Sequence, residues 1–544
     1  VPGELVMQGF DIENNKEYYY RRTVTVPSDF PKGRLYIRLE GVYCNARVWV
    51  NGKFVRFHIG GFTPWDCDIT DYIDQNKFEL VVGIADIEGK TSGIWNPENE
   101  YLSDASWASY YAHHNIGGIL RGVTLFALPK NRIIRTYLET QLTDNYRSAN
   151  LHARLQIDAA ETDLQLKAEL QKDGLTVCSA TYEPANMQSS SLQTEPRHMT
   201  ISANTVRRNV LENDRHFQKR YMPPAVYSPA GKIYEAAFCL EIDEPQLWDA
   251  EHPDLYELKI SLLENGRILQ TNVHLVGLRQ IEYGGMHGTE KNKIYINGKE
   301  IKLRGVCRHD VSAQFGRSVD DRELEKELHI YKRNNINFIR TSHYPAPERL
   351  LALCDQIGIY VEQENSACFK GANNFKIYCP PEDFINTFAE MTEFSRNHAC
   401  VIIWSLANES GFEQTAAFRR EFEYIKAQDT TRPVIFSYPH TVKTTPLPYD
   451  IRSHHYKKVT SNLGRKDMPM LHDEFAHVSC YNTKELNFDN SSRVFWGQSV
   501  KKGWDNIFET DGALGCALWA AVDDVFFIPD GTKERHQNHA SGRA

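Results

Sequence analysis

Polar side chains able to do acid–base chemistry follow a series of short apolar runs in the second half of the chain. Carboxylates, imidazoles, a carboxamide and aromatic rings stand at the ends of these runs. The residues concerned are His309, Asp310, His343, Tyr344, Glu362, Glu364, Asn408, Glu409, His454, His455, Tyr456, Asp473, Glu474 and Trp519. Carboxylates and imidazoles exchange hydrogen bonds with hydroxyl groups, and aromatic faces stack on the apolar face of a sugar ring. The set therefore indicates a carbohydrate site.

Two of these carboxylates form a candidate catalytic pair. Glu409 follows the apolar run 401–407, and Glu474 follows the run 468–473. Glycoside hydrolysis uses one carboxyl group to protonate the leaving oxygen and a second to attack the anomeric carbon. The alternative at this point is that both are solvated acids at strand ends without a catalytic function.

Other reaction classes lack their sequence signatures. His472 and His477 flank Glu474, but their spacing places them on opposite faces of a strand, which disfavours a common metal ion. The sequence contains no H-E-x-x-H, P-loop or G-x-S-x-G motif, so zincin, nucleotide and serine-hydrolase interpretations are unsupported. The pair His454-His455 is interpreted as hydrogen-bonding or surface histidines. We expect no cofactor.

The elements that must position these residues are strands alternating with amphipathic helices from about residue 290 onward. The strand candidates are 302–308, 337–342, 359–363, 401–407, 433–437, 449–455, 468–473 and 513–519. The helices between them repeat their apolar residues at the helical period, as in Leu324, Leu328 and Tyr331. Eight such strands in about 250 residues predict a (β/α)8 TIM barrel, whose catalytic groups lie at the strand ends. A doubly wound sheet is disfavoured because no Gly-rich turn follows the first strand.

Two β-rich segments precede the barrel. Leu35, Ile37 and Leu39 alternate with polar residues, and the run 48–50 leads into Asn51-Gly52, a hairpin turn signal. Similar strands lie on both sides of a polar stretch at about 184–230, which we interpret as an insertion in a second β-sandwich. The first half therefore predicts two sandwiches.

The composition excludes several classes of protein. The 544 residues carry 62 Lys and Arg against 71 Asp and Glu, a net charge of −9, without a long basic tract. This argues against nucleic-acid binding, and no apolar run is long enough to predict a membrane span. The eleven cysteines include no C-x-x-C pair, which argues against a zinc ribbon or a disulfide scaffold. Because Val1 replaces an initiator Met and the last strand lies near the end, we expect both ends to be trimmed.

Several sequence blocks resemble those of family-2 glycoside hydrolases, in particular the β-galactosidase branch. The blocks are 304–310 (R-G-V-C-R-H-D), 340–345 (R-T-S-H-Y-P), 404–410 (W-S-L-A-N-E-S), 474–477 (E-F-A-H), 245–248 (P-Q-L-W) and 253–256 (P-D-L-Y). The resemblance implies a sugar-binding jelly roll over 1–128 and an immunoglobulin-like sandwich over 129–289. A catalytic barrel over 290–544, trimmed at its C-terminus, would follow.

The resemblance also implies residue roles. Glu409 would be the general acid/base, and Glu474 the nucleophile. Asn408 would bind the 2-hydroxyl of the substrate. The other implied substrate-binding residues are Arg340 and Tyr456 beside the nucleophile, His309, His343 and His477 around the terminal sugar, Glu364 after the third strand, and Trp519 as a sugar platform.

Two departures from the family pattern alter these expectations. Magnesium-dependent members have a Glu and a His where this chain has Cys368 and Lys370, so we expect no metal ion. In those members an Asp of the first domain also reaches the sugar. The corresponding segment 112–114 of this chain contains no Asp, which puts galactose in doubt. His113 or Asn115 would then contact a different sugar.

We therefore expect a retaining exo-β-glycosidase acting on β-glycosides derived from oligo- or polysaccharides, with β-galactosides as the first choice. A β-glucuronidase, a β-galacturonidase or another glycone specificity is the alternative, and a non-catalytic carbohydrate-binding protein is a remote one. We expect a periplasmic or extracellular location, with a cytoplasmic one as the alternative. The oligomeric state is left open, with a homo-oligomer as one possibility.

Overall fold

The computed structural model describes most of the chain. The described residues are 1–12, 16–85, 108, 114, 116–160, 164–182, 188–189, 232–369, 381–411, 415–439, 446–458, 462–477, 490–522 and 524–529. They form two antiparallel β-sandwiches followed by a closed parallel barrel. The predicted sandwiches and TIM barrel are thus confirmed.

The first sandwich is built on a core of alternating apolar residues such as Val48, Val50, Val82 and Ile84. Its sheets, in spatial order, are Glu17–Thr25, Lys77–Ala85, Ala46–Val50 and Lys53–His58; Val123–Leu128, Arg34–Leu39 and Trp65–Asp68; and Gly3–Glu4, Gly118–Ile119 and Val42–Tyr43. Alternation along a strand directs every second side chain to the same face, and in Lys77–Ala85 this face carries Val82 and Ile84 into the core.

The second sandwich packs two four-stranded sheets around a separate apolar core. The sheets are Arg132–Thr143, Ser148–Ala159, Lys232–Asp243 and Gln188–Ser189; and Leu175–Tyr182, Leu164–Lys172, Tyr256–Glu264 and Arg267–Val276. Apart from the strand Gln188–Ser189, the insertion expected at about 184–230 lies outside the described residues. A small sheet of Ile281–Glu282, Tyr295–Ile296 and Lys299–Glu300 leads into the barrel.

The barrel strands are almost wholly buried, which is why they read as continuous apolar runs. They are β1 (Leu303–Arg308), β2 (Phe338–Thr341), β3 (Tyr360–Glu364), β4 (Val401–Asn408), β5 (Val434–Ser437), β6 (Ile451–His455), β7 (Met470–Phe475) and β8 (Ala513–Leu518). Each pairs in parallel with the next, and β8 closes on β1. All eight strands thus end at one rim.

Five described helices surround the barrel. They are α1 (Asp321–Arg333), α2 (Glu348–Ile357), α3 (Pro381–Ser395), α4 (Thr415–Gln428) and α5 (Asn490–Glu509). The Asp320 carboxylate caps α1 by accepting from the backbone N–H groups of Arg322 and Glu323 at 2.8 Å. None of the described helices has the length and apolarity needed to cross a membrane.

The first sandwich contacts the barrel rim through buried polar groups. Arg121 donates to Asp310 Oδ2 at 3.0 Å and to the Pro345 carbonyl at 2.6 Å. His58 Nε2 lies 2.9 Å from Glu390 Oε2 on α3. Since Asp310 lies two residues after the end of β1, the sandwich helps to position the loop that carries the neighbouring His309.

Candidate active site

Arg340 at the end of β2 connects the polar groups at the centre of the barrel rim. It is fully buried, and its guanidinium donates to Glu364 through Nε at 2.8 Å and Nη2 at 3.0 Å. Nη1 donates to Glu474 Oε1 at 2.8 Å, and Nη2 donates to Asn408 Oδ1 at 2.7 Å. One planar cation therefore fixes side chains from three other strands.

Glu474 is held by one donor on each carboxylate oxygen. Arg340 donates to Oε1, and the Tyr456 hydroxyl donates to Oε2. Burial and the adjacent Glu474 carboxylate raise the pKa of Tyr456, so this hydroxyl stays protonated as a donor. The two hydrogen bonds fix the orientation of this carboxylate, as a nucleophile requires.

Glu409 faces Glu474 across the rim. It follows β4 with a backbone φ of 40°, a left-handed conformation rarely adopted by residues with a side chain. One carboxylate oxygen of Glu409, one of Glu474 and the His455 Nδ1 all lie within 4.8 Å of one another. Retaining glycosidases separate their carboxyl groups by about 5–5.5 Å, and inverting ones by about 6.5–9.5 Å. The separation of these oxygens is closer to the retaining than to the inverting arrangement.

His455 lies between these two carboxylates. Its Nδ1 is 2.6 Å from Glu409 Oε1 and 3.3 Å from Glu474 Oε2, while its Nε2 is 3.0 Å from Ser437 Oγ. Burial opposes a charge on the ring, but Glu474, Asp473 and Glu409 outweigh it and raise the pKa of His455 to about 10. A proton is therefore retained on the Glu409–His455 pair at neutral pH.

Two further buried acids, Asp473 and Glu362, differ in their protonation state. Burial opposes ionisation of Asp473, but hydrogen bonding and charge from His455 lower its pKa well below the ordinary value. Burial and the Asp473 charge raise the pKa of Glu362 well above its usual range. Asp473 thus balances His455, whereas Glu362 stays protonated beneath the site.

Aromatic and imidazole rings form the opposite wall of the site. The His343 ring stacks on Trp519 with centroids 5.1 Å apart, and His309 meets Trp519 edge-on at 5.2 Å. His309 Nδ1 lies 3.1 Å from Asp524 Oδ2, which also accepts from Arg317 at 3.1 Å. This wall offers an aromatic face and ring nitrogens to a sugar.

Cys368 and Lys370 stand where magnesium-dependent members of the family have metal ligands. The buried Cys368 Sγ accepts from Asn408 Nδ2 at 3.3 Å. Magnesium takes hard oxygen ligands, and a thiol does not supply one. Lys370 lies outside the described residues. The residues present do not fit a magnesium site, and the absence of a metal requirement stays a prediction.

The structure brings most of the sequence-predicted residues together. Hydrogen bonds and ring contacts connect Glu409, Glu474, Asn408, Arg340, Glu364, Tyr456, His343, His309 and Trp519, with His455 completing the link to Glu409. His477 lies exposed at the edge of this group, with its ring centroid 5.8 Å from that of Tyr456. His113 and Asn115 lie outside the described residues, and His114 pairs with Glu4 within the first sandwich.

Three groups that complete the site received no catalytic role from the sequence. The sequence pattern indicates an ordinary hydrogen-bonding or surface histidine for His455, as for His454, and it assigns no role to Asp524 or Arg317. The alternation of β6 could have separated the two histidines, because neighbouring strand residues face opposite ways. Asp524 and Arg317 lie in loops, and only the folded chain brings them to His309.

Three profiles of one family match consecutive parts of the chain. "Glycosyl hydrolases family 2, sugar binding domain" matches residues 6–129, "Glycosyl hydrolases family 2" matches 131–279, and "Glycosyl hydrolases family 2, TIM barrel domain" matches 288–477. The chain belongs to glycosyl hydrolase family 2.

Named relatives and solved structures agree with this assignment. The chain is 27% identical over 414 residues to a β-galactosidase of Erwinia tasmaniensis, which covers 75% of this chain and 34% of that enzyme. It is similar to a family-2 member from Bacteroides cellulosilyticus (TM-score 0.70, 20% identity, 96% and 62% of the two chains). It also resembles β-glucuronidase 2 of Bacteroides uniformis (TM-score 0.70, 19% identity, 93% and 58%). The chain spans about a third of the length of the curated relatives it matches.

Proposed function

We propose that the chain is a retaining exo-β-glycosidase that hydrolyses terminal β-linked sugars by double displacement. The observation that carries this proposal is the approach of Glu409 and Glu474 oxygens to within 4.8 Å. This spacing leaves room for direct attack on the anomeric carbon but little for an intervening water. Membership of glycosyl hydrolase family 2 supports the same reaction class.

In the first step, Glu474 attacks the anomeric carbon while a proton passes from Glu409 to the leaving oxygen. The bond to the leaving group breaks with its electron pair, and a glycosyl ester of Glu474 forms. The Asn408 amide is held by Arg340 on one side and Cys368 on the other. Its remaining N–H group has the chemistry to donate to the 2-hydroxyl in the transition state.

In the second step, Glu409 acts as a base. It removes a proton from water, whose oxygen attacks the anomeric carbon and releases the Glu474 carboxylate. Arg340 and Tyr456 then again donate to that carboxylate. Both carboxyl groups return to their starting protonation states.

For the terminal sugar, β-galactose remains the first choice, supported by the sequence blocks and by the name of the Erwinia relative. The alternative is a β-glucuronide or β-galacturonide, supported by the similarity of the fold to that of β-glucuronidase 2 of Bacteroides uniformis. A cluster of lysines beside the nucleophile also favours an acidic substrate.

The experiment replaces each glutamate separately, Glu409→Ala and Glu474→Ala, with exposed Glu325→Ala on α1 as the control. The assay follows hydrolysis of aryl β-glycosides with and without azide. We expect each active-site variant to lose at least about 10²-fold in rate. Azide should rescue Glu409→Ala with a β-glycosyl azide product and Glu474→Ala with an α-glycosyl azide product.

Two results would refute the assignment. One is full activity in either active-site variant, and the other is azide products of the reversed configuration. Sugar binding without turnover by the unmutated protein would instead support the non-catalytic alternative.

A further inference from the structure

A second cavity opens beside the nucleophile, on the side of β6 and β7. Its volume is about 710 Å³, within the range of about 300–1,000 Å³ typical of ligand pockets. Tyr456 and His477 form the edge nearest to the reaction centre, and α5 supplies the far side. Because Tyr456 both lines this cavity and donates to Glu474, the cavity adjoins the catalytic centre.

Three lysines are the charged residues among the described lining residues of this cavity. Lys457 and Lys458 follow β6, Lys502 lies on α5, and none of the described lining residues is acidic. The chain as a whole carries a net charge of −9, so this concentration of cations runs against its average. Lys501, which neighbours Lys502 on α5 but does not line the cavity, forms an ion pair with Asp505 at 2.6 Å.

Lys457 has an environment that favours an added anion. Its Nζ lies 3.8 Å from Met470 Sδ, which is a neutral acceptor. Partial burial, together with repulsion from Arg465 and Arg452, lowers the pKa of Lys457. A negative group in the cavity would relieve this repulsion among the cations.

The cavity also offers a surface for a sugar ring. The Phe495 side chain lines it and is 62% exposed, and Tyr456 is 44% exposed. Large exposed aromatic rings beside charged groups are typical of recognition surfaces. The combination of exposed aromatic rings and lysines suits a sugar ring that carries an acidic substituent.

We propose that the cavity bounded by Lys457, Lys458 and Lys502 is a substrate subsite for an anionic group, either a carboxylate or a sulfate ester. This inference rests on the proposed glycosidase function and specifies its substrate class. The anion has two sources. It belongs either to the terminal sugar, as in a uronide, or to the sugar that leaves.

The test reverses one charge, Lys502→Glu, with Lys501→Glu as the matched control on the same helix. The kcat/KM is measured for 4-nitrophenyl β-galactoside, for 4-nitrophenyl β-glucuronide and for a disaccharide of galactose β-linked to glucuronate. Lys502→Glu should lower kcat/KM about 10- to 100-fold for the acidic substrate that uses the subsite, the effect of a lost charge-assisted hydrogen bond. The neutral galactoside should change by less than about twofold, as should every substrate of Lys501→Glu.

The two acidic substrates separate the two sources. A loss confined to the glucuronide places the anion on the terminal sugar, and a loss confined to the disaccharide places it on the leaving sugar. Equal kcat/KM ratios of acidic to neutral substrates in Lys502→Glu and the unmutated enzyme would overturn the subsite.

A binding measurement separates this proposal from the glycosidase proposal. Calorimetry with glucuronate and with the same disaccharide reports the subsite even if the protein cleaves no glycoside. Binding that is weakened by Lys502→Glu and retained in Lys501→Glu supports the subsite. Absence of binding in the unmutated protein refutes it, whereas absence of turnover alone refutes the glycosidase function.

Discussion

His455 joins the two candidate catalytic carboxylates at the scale of single residues. The groups that face its ring are Glu409 from β4, Ser437 and Tyr438 at the end of β5, and Asp473, Glu474 and Tyr456 around β6 and β7. Three of these are carboxyl groups, whose negative charge stabilises the protonated imidazolium form of the ring. In the proposed mechanism, the proton that Glu409 delivers to the leaving group is therefore shared with His455.

This arrangement predicts a change in pH dependence for His455→Gln. The carboxylates raise the pKa of His455 to about 10, so the pair keeps its proton as the pH rises above neutrality. Without the imidazole, the pair lacks the group that keeps this proton above neutral pH. The alkaline limb of kcat/KM should therefore move down by at least about one pH unit.

His454→Gln is the matched control for that measurement. The His454 ring is half-buried, and its Nδ1 lies 2.8 Å from the His455 carbonyl oxygen, away from the two carboxylates. Its pH profile should match that of the unmutated enzyme. An unchanged alkaline limb in His455→Gln would refute a proton held in common.

At the scale of elements, the closure of the barrel depends on the approach of β8 to β1. Gly515 has a backbone φ of 153°, and a Cβ atom there would lie 2.1 Å from the Leu303 carbonyl oxygen. The three nearest atoms, Leu303 O, N and C, all belong to the backbone, so they cannot move aside without displacing β1. Glycine at this position lets the eighth strand pair with the first.

We predict that Gly515→Ala destabilises the protein by more than about 2 kcal/mol because the added methyl group forces the two strands apart. Gly497→Ala in α5 is the control, since a Cβ there meets no atom within 4 Å. That change should be stabilising by about 0.4–1 kcal/mol. Denaturant unfolding measures both, and equal stabilities of the two variants would contradict the account of barrel closure.

The barrel strands were predictable because burial on both faces leaves apolar runs in the sequence. The predicted run 401–407 corresponds to Val401–Asn408, but the predicted run 468–473 corresponds to Met470–Phe475. The structure therefore continues β7 through Asp473 and Glu474, where the sequence indicates a strand end. Arg340 and His455 provide the buried partners of these acids, and no local pattern reveals such distant partners.

At the scale of the whole molecule, the first sandwich stabilises the rim of the barrel. Arg121 reaches Asp310 and the Pro345 carbonyl from the sandwich and is itself buried. Asp310 also accepts from Arg308 at 2.5 Å, and burial opposes, but does not prevent, a lowered pKa of its carboxyl group. The sandwich therefore supplies part of the charge balance beneath His309.

Removing this contact with Arg121→Met should destabilise the protein by about 3–5 kcal/mol because Asp310 loses one of its two buried cations. The control is Arg147→Met, whose pair with Asp144 is exposed and should contribute about 0–1 kcal/mol. The midpoint temperature of thermal inactivation measures the stability of both variants. A midpoint for Arg121→Met equal to that of Arg147→Met would contradict a supporting role for the sandwich.

The central claim is that Glu474 forms a covalent bond with the sugar, and covalent trapping tests it most directly. The protein is incubated with the activated 2-deoxy-2-fluoro analogue of whichever aryl β-glycoside it cleaves fastest, and the labelled peptide is identified by mass spectrometry. The account predicts a single label on Glu474. A label on Glu409 or another residue, or no label while the parent glycoside is hydrolysed, would contradict it.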